Sequence, residues 1–282
     1  MKNKILIVSH SGCETITRSA QSIRKLRKAA EIVTLQDLMG DFEIFDELSD
    51  QGGIVRWYRE NRCFSSLNHL LLNRVSHIPD SMFDPFAEYD REYARREFEA
   101  YLSFAFGVFS GTDNRFMNGL CGDGQSLPGQ WKIVSELDDI DVPDYYWGPH
   151  FMNSISDDIP CVYSNIYNFL NWSLSDTENT DGHVFCFKKP KGFPIFVLTM
   201  GDRQLVTCDV LLSHHDRDII LSVSRQISRL FGYFISEMLL FMDGEKMVFG
   251  CINPEVIRSP RNGHFNDFLS QHLISEFYRC AV

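Results

Sequence analysis

A chain of 282 residues with 44% hydrophobic, 13% aromatic and 23% charged residues holds enough apolar material for two modest domains or one large one. A net charge of −11 disfavours nucleic acid as a partner and suits a basic peptide or a cationic small molecule. The eight cysteines are scattered without a CxxC pair, which excludes a zinc ribbon and a secreted disulfide framework, and no run is long enough for a signal peptide or a membrane span, so a reducing cytoplasm is the expected compartment.

"KILIVSH" opens the chain as a continuous aliphatic run, the pattern of a buried parallel strand. "ETITRSAQSIRKLRKAAE" then spaces Ile16, Ala20, Ile23 and Leu26 as a helix does, and "EIVTL" supplies a second strand. Strand, helix and strand in this order predict a right-handed crossover and an α/β domain. Short strands are expected in "FEIFDEL" and "GGIVRWYRENRCF", and "NHLLLNRVSHIP" brings a leucine run and then a proline stop. "FAEYDREYARREFEAYLSFAFGVF" is the strongest helix, with Tyr93, Glu97, Tyr101 and Phe104 one turn apart.

Residues 110–130 are rich in Gly, Asn, Asp, Ser and Pro and mark a boundary, which gives domains of about 1–115 and 116–282. "PGQWKIVSELDDIDVPDYYWGP" reads as a helix closed by Pro143, and 150–182 as irregular. Two or three strands follow in "HVFCFKKPKGFPIFVLTMGDRQLVTCDVLL". A helix whose stripe is Ile219, Val223, Ile227 and Leu230 then leads into a strand, a turn at Asp243-Gly244, the strand "MVFGCINP" and a closing helix.

The order of these segments resembles the ATP-grasp superfamily, in particular its bacterial peptide- and glutamate-ligating branch. The resemblance rests on "NRVSHIPDSMF", "DREYARREFEAYLSFAF" and "FMNGL…LPGQWKIVSELDDIDVPDYY", and extends to "INPEV" near the end. It implies an α/β fold with a pre-ATP-grasp domain followed by an ATP-grasp-like domain. Such ligases phosphorylate a carboxylate with ATP and magnesium, and an amine or thiol attacks the acyl-phosphate. Lysines, an arginine and two or three acidic or amide metal ligands must then offset dispersed negative charge.

Checked against that pattern, Lys132 stands where the first phosphate lysine is expected, although an exposed helix lysine reads the same way. The second lysine is missing: residues 144–183 contain none, so the domain is expected to be truncated and to lack most of its lid. Lys188, Lys189 and Lys191 read as a solvated turn, and Phe193-Pro194-Ile195 takes the place of the arginine. Glu237 and Asn253 match the first and last metal ligands, while Cys251 replaces the bridging carboxylate. A thiol is a poor partner for Mg²⁺. Lys132, Glu237 and Asn253 are therefore read as vestiges, with no catalytic residue, no metal and no cofactor; ATP and magnesium belong to the alternative, an active carboxylate–amine ligase with unusual metal ligands.

Three other constellations carry less. "GLCGDGQS" lacks the lysine of a phosphate loop, "SHHDRD" reads as a loop in which Asp216 or Asp218 caps the next helix, and "SHSGC" sits at the carboxyl edge of the first strand without an identifiable base. The aromatic cluster "DYYWGP" offers Tyr145, Tyr146 and Trp147 as peptide anchors. The expected function is a non-catalytic peptide-binding protein. It is similar to the truncated ATP-grasp-derived proteins that hold precursor peptides in ribosomal peptide natural-product pathways, crocagin-like clusters among them. A neighbouring modifying enzyme and a second copy in a homodimer are further expected partners.

Overall fold

Ile5, Leu6, Ile7 and Val8 are each at most 1% exposed, because the strand they form is covered on both faces. This strand, β1 (Lys4–Ser9), is the centre of a parallel three-stranded sheet between β2 (Ala30–Thr34) and β6 (His69–Arg74). The computed structural model describes residues 4–9, 30–50, 52–75, 77–110, 125–148, 161–163, 184–188, 190–244, 246–254, 267–268, 271–273, 275–276 and 279. The crossover helix expected within residues 14–31 lies almost wholly outside them, as do "SHSGC" beyond Ser9 and most of "GLCGDGQS".

Thr34 ends β2 and starts α1 (Leu35–Gly40) with a capping box: its hydroxyl accepts from Asp37 N at 3.1 Å and its own N–H donates to the Asp37 carboxylate at 3.2 Å. An antiparallel meander follows, β3 (Glu43–Ser49), β4 (Gly52–Arg59) and β5 (Arg62–Ser65). Every residue of β3 is exposed, with Phe45 at 55% and Leu48 at 75%. After β6 and a 3₁₀ turn at Asp80–Phe83 comes α2 (Arg91–Ser110). Its buried stripe is Leu102, Ala105, Phe106 and Phe109, with Tyr101 and Phe104 half-buried against the same cluster and Tyr93 66% exposed. Trp57 of β4 sits under this helix, 4.8 Å from the Phe109 ring, and donates its indole N–H to the Tyr101 hydroxyl at 2.7 Å. Leu6 and Val8 join that cluster, whereas Ile5 and Ile7 face the other way.

That other face meets a four-stranded antiparallel sheet in the order β11–β10–β12–β13: β10 (Phe193–Met200), β11 (Arg203–Thr207), β12 (Ile235–Asp243) and β13 (Lys246–Asn253). Leu198, Met200 and Ile235 pack on Ile5, Ile7 and Leu72. The opposite face carries α4 (His214–Phe231), held there by Gln204 of β11, whose amide lies 2.9 Å from the Ser224 hydroxyl. Its buried stripe is Ile220, Val223, Ser224 and Ile227, so Ile219 and Leu230, expected inside, are 37% and 49% exposed. The helix is capped by Ser213, which accepts from Asp216 N at 3.0 Å; neither aspartate serves as the cap.

Helix α3 (Leu127–Val134) ends nine residues before Pro143, with Ser135 at its C-cap. The chain then forms β7 (Tyr145–Gly148), which pairs with β9 (Val184–Lys188), and β9 pairs in turn with β8 (Cys161–Tyr163). A strand thus lies within the stretch expected to be irregular. No helix among the described residues is long and apolar enough to cross a membrane.

Candidate functional site

The antiparallel register of β12 and β13 places Glu237 directly opposite Asn253 and Leu239 opposite Cys251. Side chains alternate along a strand, so all four share one face of the sheet. By the same alternation this is the face of Leu198, turned away from α4. Glu237 is 3% exposed and Cys251 5% exposed. The two residues read from the sequence as first and last metal ligands are therefore cross-strand neighbours, and the thiol lies one side-chain step behind Asn253.

A bulge sets this phase. Leu239 pairs with Cys251 but Leu240 pairs with Phe249, which leaves Gly250 as the extra residue. A Cβ at Gly250 would lie 2.9 Å from the Leu239 carbonyl oxygen and 3.1 Å from both Leu239 and Phe241 side chains, so glycine alone fits.

The outer edge of β13 is closed by polar groups from 130–141. The Gln130 amide donates to Ile252 O at 3.0 Å and accepts from Ile252 N at 2.9 Å, standing in for a neighbouring strand. Trp131 donates its indole N–H to Gly250 O at 2.7 Å. Asp141 N donates to Met247 O at 2.9 Å, and Phe249 N donates to Asp141 O at 2.8 Å. Lys132, the next residue of α3, is exposed. The strand edge nearest the expected metal ligands is thus unavailable to an added peptide strand.

The carboxyl ends of β1 and β6 reach the same region. Arg74, 5% exposed, closes β6 and donates to the carbonyl of Pro254, the residue after Asn253. Ser9, its register partner, is fully buried and its hydroxyl has no hydrogen-bond partner among the described residues. Arg74 and Gln130 escape the motif comparison. The available signal for Arg74 is its place at the carboxyl edge of a parallel sheet, where α/β folds bind ligands; Gln130 has no signal, since its partner is 122 residues away.

Tyr145 of β7 is 43% exposed, with its ring 5.1 Å from Trp131. Tyr146 and Trp147 lie on β7 by their backbone, and their side chains fall outside the described residues. Lys188 bonds Asp144 at 2.8 Å, which ties β9 to the start of β7 instead of leaving it as a solvated lysine.

Chemically the face offers one carboxylate, one amide and one thiol. Mg²⁺ takes hard oxygen ligands in octahedral geometry, and a thiol as a third ligand beside Glu237 and Asn253 does not fit it. Among the described residues no group of three His, Cys, Asp or Glu side chains could hold a metal. As a small buried hydrophobe Cys251 is well placed, and Cys251→Ser is expected to cost about 1–3 kcal/mol of stability because a hydroxyl is harder to bury. Urea denaturation measures this. Rapid modification of the folded thiol by a small reagent would contradict the buried assignment.

No protein-family model matches this sequence, and no curated protein matches it. Solved structures do. The macrocyclase MdnC of Microcystis aeruginosa MRC, bound with precursor peptide MdnA, superposes with a TM-score of 0.69 at 13% identity over 96% of this chain and 99% of that one. The ATP-grasp ligase PsnB, complexed with a phosphomimetic variant of its minimal precursor, Mg and ADP, gives 0.71 at 12% identity over 97% of each chain. A RiPP-associated ATP-grasp ligase of Chryseobacterium gregarium, in complex with ADP and a leader and core peptide, gives 0.61 at 12% identity over 97% and 94%. These likenesses span nearly the full length of both partners, and the fold of this chain is ATP-grasp-like, the fold of the RiPP-associated ligases.

Proposed function

We propose that this chain holds an extended precursor peptide on an ATP-grasp scaffold without ligating it. The observation that carries the non-catalytic half is Cys251, buried beside Asn253 and across from Leu239 in the position where the resemblance calls for a carboxylate. The lysine-free stretch 144–183 supports it, because it leaves no second lysine for the phosphates. In this reading the lid is reduced, Lys132, Glu237 and Asn253 are vestiges, and neither ATP nor magnesium takes part. The peptide half draws support from the structural neighbours solved in complex with precursor or leader peptides.

With the β13 edge closed, the strands left for β-augmentation near the site are β7 and β8, the outer strands of their sheet. Tyr145, Tyr146 and Trp147 of β7 are the anchors. In this reading an N-terminal unit of about 1–115 precedes a C-terminal unit of 116–282, and the reducing cytoplasm is the compartment. A modifying enzyme encoded nearby would receive the peptide.

One observation favours a second reading, an ATP-dependent carboxylate–amine ligase: Glu237 and Asn253 keep their register opposite one another. Calorimetry and thermal shift separate the two. The non-catalytic reading expects no saturable stabilisation by millimolar ATP·Mg²⁺, since a ligand at about 100 times its Kd would add about 2.7 kcal/mol. It also expects micromolar or tighter binding of a precursor peptide encoded beside the gene, weakened about tenfold or more by Tyr145→Ala or Trp147→Ala. Phosphate release from ATP with an amino acid or peptide, with no peptide binding in its absence, would install the ligase reading.

A further inference from the structure

Eight described arginines outside α4 form ion pairs with carboxylates, as in Arg56 with Glu47 at 2.6 Å and Arg279 with Asp202 at 2.7 Å. In a chain with 38 acidic and 27 basic residues, pairing is the expected state of a long cationic side chain. Arg217, Arg225 and Arg229 of α4 depart from it, and of these Arg225 and Arg229 share one cavity. Among the described residues their guanidinium groups have no hydrogen bond and no ion pair. The helix dipole favours a basic residue in the last turn, which accounts for Arg229 as charge alone. It does not account for where the pair points.

Both arginines line a cavity of about 210 Å³ beneath the turn between β10 and β11. Tyr233 and Phe234, 9% and 2% exposed, are among its buried lining residues. Gly201 and Gly232 border it at φ of 57° and 64°, a conformation that brings backbone to its wall without a side chain. Its remaining charge, Asp202, is engaged by Arg279. The cavity is thus bordered by two uncompensated cations on a protein whose net field repels anions.

We propose that Arg225 and Arg229 bind a compact oxyanion, a carboxylate or a phosphate, over the Tyr233 side of this cavity. Residues four apart on a helix are neighbours, and two guanidinium forks at that spacing can converge on one planar or tetrahedral anion. The site lies on the α4 side of the sheet, which Gln204 and Ser224 define, whereas Glu237 and Asn253 occupy the opposite face. It therefore does not depend on the peptide reading.

The test uses the intact chain and the Nε–Hε resonances of its arginines, titrated separately with inorganic phosphate and with N-acetylglutamate. Saturating shifts at Arg225 and Arg229, with Arg217 on the same helix unmoved, are expected at low-millimolar concentration or below. Whichever probe saturates first assigns the source, phosphate compound or carboxylate. Arg225→Gln and Arg229→Gln should each raise the Kd about tenfold or more without changing the melting temperature, because both side chains are exposed. Arg225→Lys should recover only part of the loss. Linear, non-saturating shifts shared equally by Arg217, or tight binding that survives the double glutamine variant, would overturn the site.

Discussion

Trp131→Ala is expected to lower stability by about 3–5 kcal/mol, the range for removing a large buried aromatic side chain. Trp131 is fully buried and joins three elements: its ring lies 5.1 Å from Tyr145 on β7 and 5.4 Å from Phe187 on β9, and its N–H serves Gly250 O on β13. The bulge at Gly250 leaves that carbonyl without a ladder partner, so the indole meets a need that the sheet cannot. Trp131→Phe separates the two contributions. It keeps most of the packing and gives up the donor, and leaving the Gly250 carbonyl unpaired should cost about 1–3 kcal/mol. Chemical denaturation of both variants decides the matter; a loss below about 1 kcal/mol for Trp131→Ala would show that this joint is not formed.

Gly192→Ala is the second large effect. Gly192 precedes β10 at φ 89°, and an added Cβ would run into the backbone carbonyl of Met242, the residue paired with Phe193. Neither the backbone carbonyl nor the hairpin-bound strand behind it can yield. Strained dihedral and overlap together should cost roughly 3 kcal/mol or more. Gly244→Ala is the control. It also has positive φ, at 62°, but open space around the Cβ, so it should lose only about 1–2 kcal/mol. Equal losses for the two glycines would remove Met242 from the explanation.

What the sequence discloses follows from the range of the interaction that fixes each feature. β1 is legible because burial on both faces leaves an unbroken aliphatic run. The Asp243-Gly244 turn is legible because its chemistry is local. Glu237 and Asn253 were placed by motif, and the register makes them neighbours. The end of α3 was not legible: Pro143 marks a local stop, but the helix gives out at Val134 so that Asp141 can bond the β13 backbone, a partner more than a hundred residues away. In α4 Val223 and Ile227 are buried as expected, while Ile220 is buried in place of Ile219 because it is chosen by what packs on it, and periodicity alone tolerates either choice. The closure of β13 by Gln130 lies on the same long-range scale, as does the meeting of Arg225 and Arg229 at one cavity, which shows only in the folded chain.

Strand β3 bears on how the molecule behaves in company. A fully exposed strand carrying Ile44, Phe45 and Leu48 invites identical chains to add edge to edge. Glu43, Asp46 and Glu47 recur through it, and two copies laid antiparallel would bring these carboxylates against each other. The barrier to polymerisation is therefore an ionisation barrier. Though exposed, the Asp46 carboxyl is partly desolvated and so raised above its ordinary range, while the Arg56 guanidinium holds Glu47 below its own. Acid that neutralises these carboxylates removes the repulsion between copies, so the guard on this edge is set by solution pH and not by the packing of the strand.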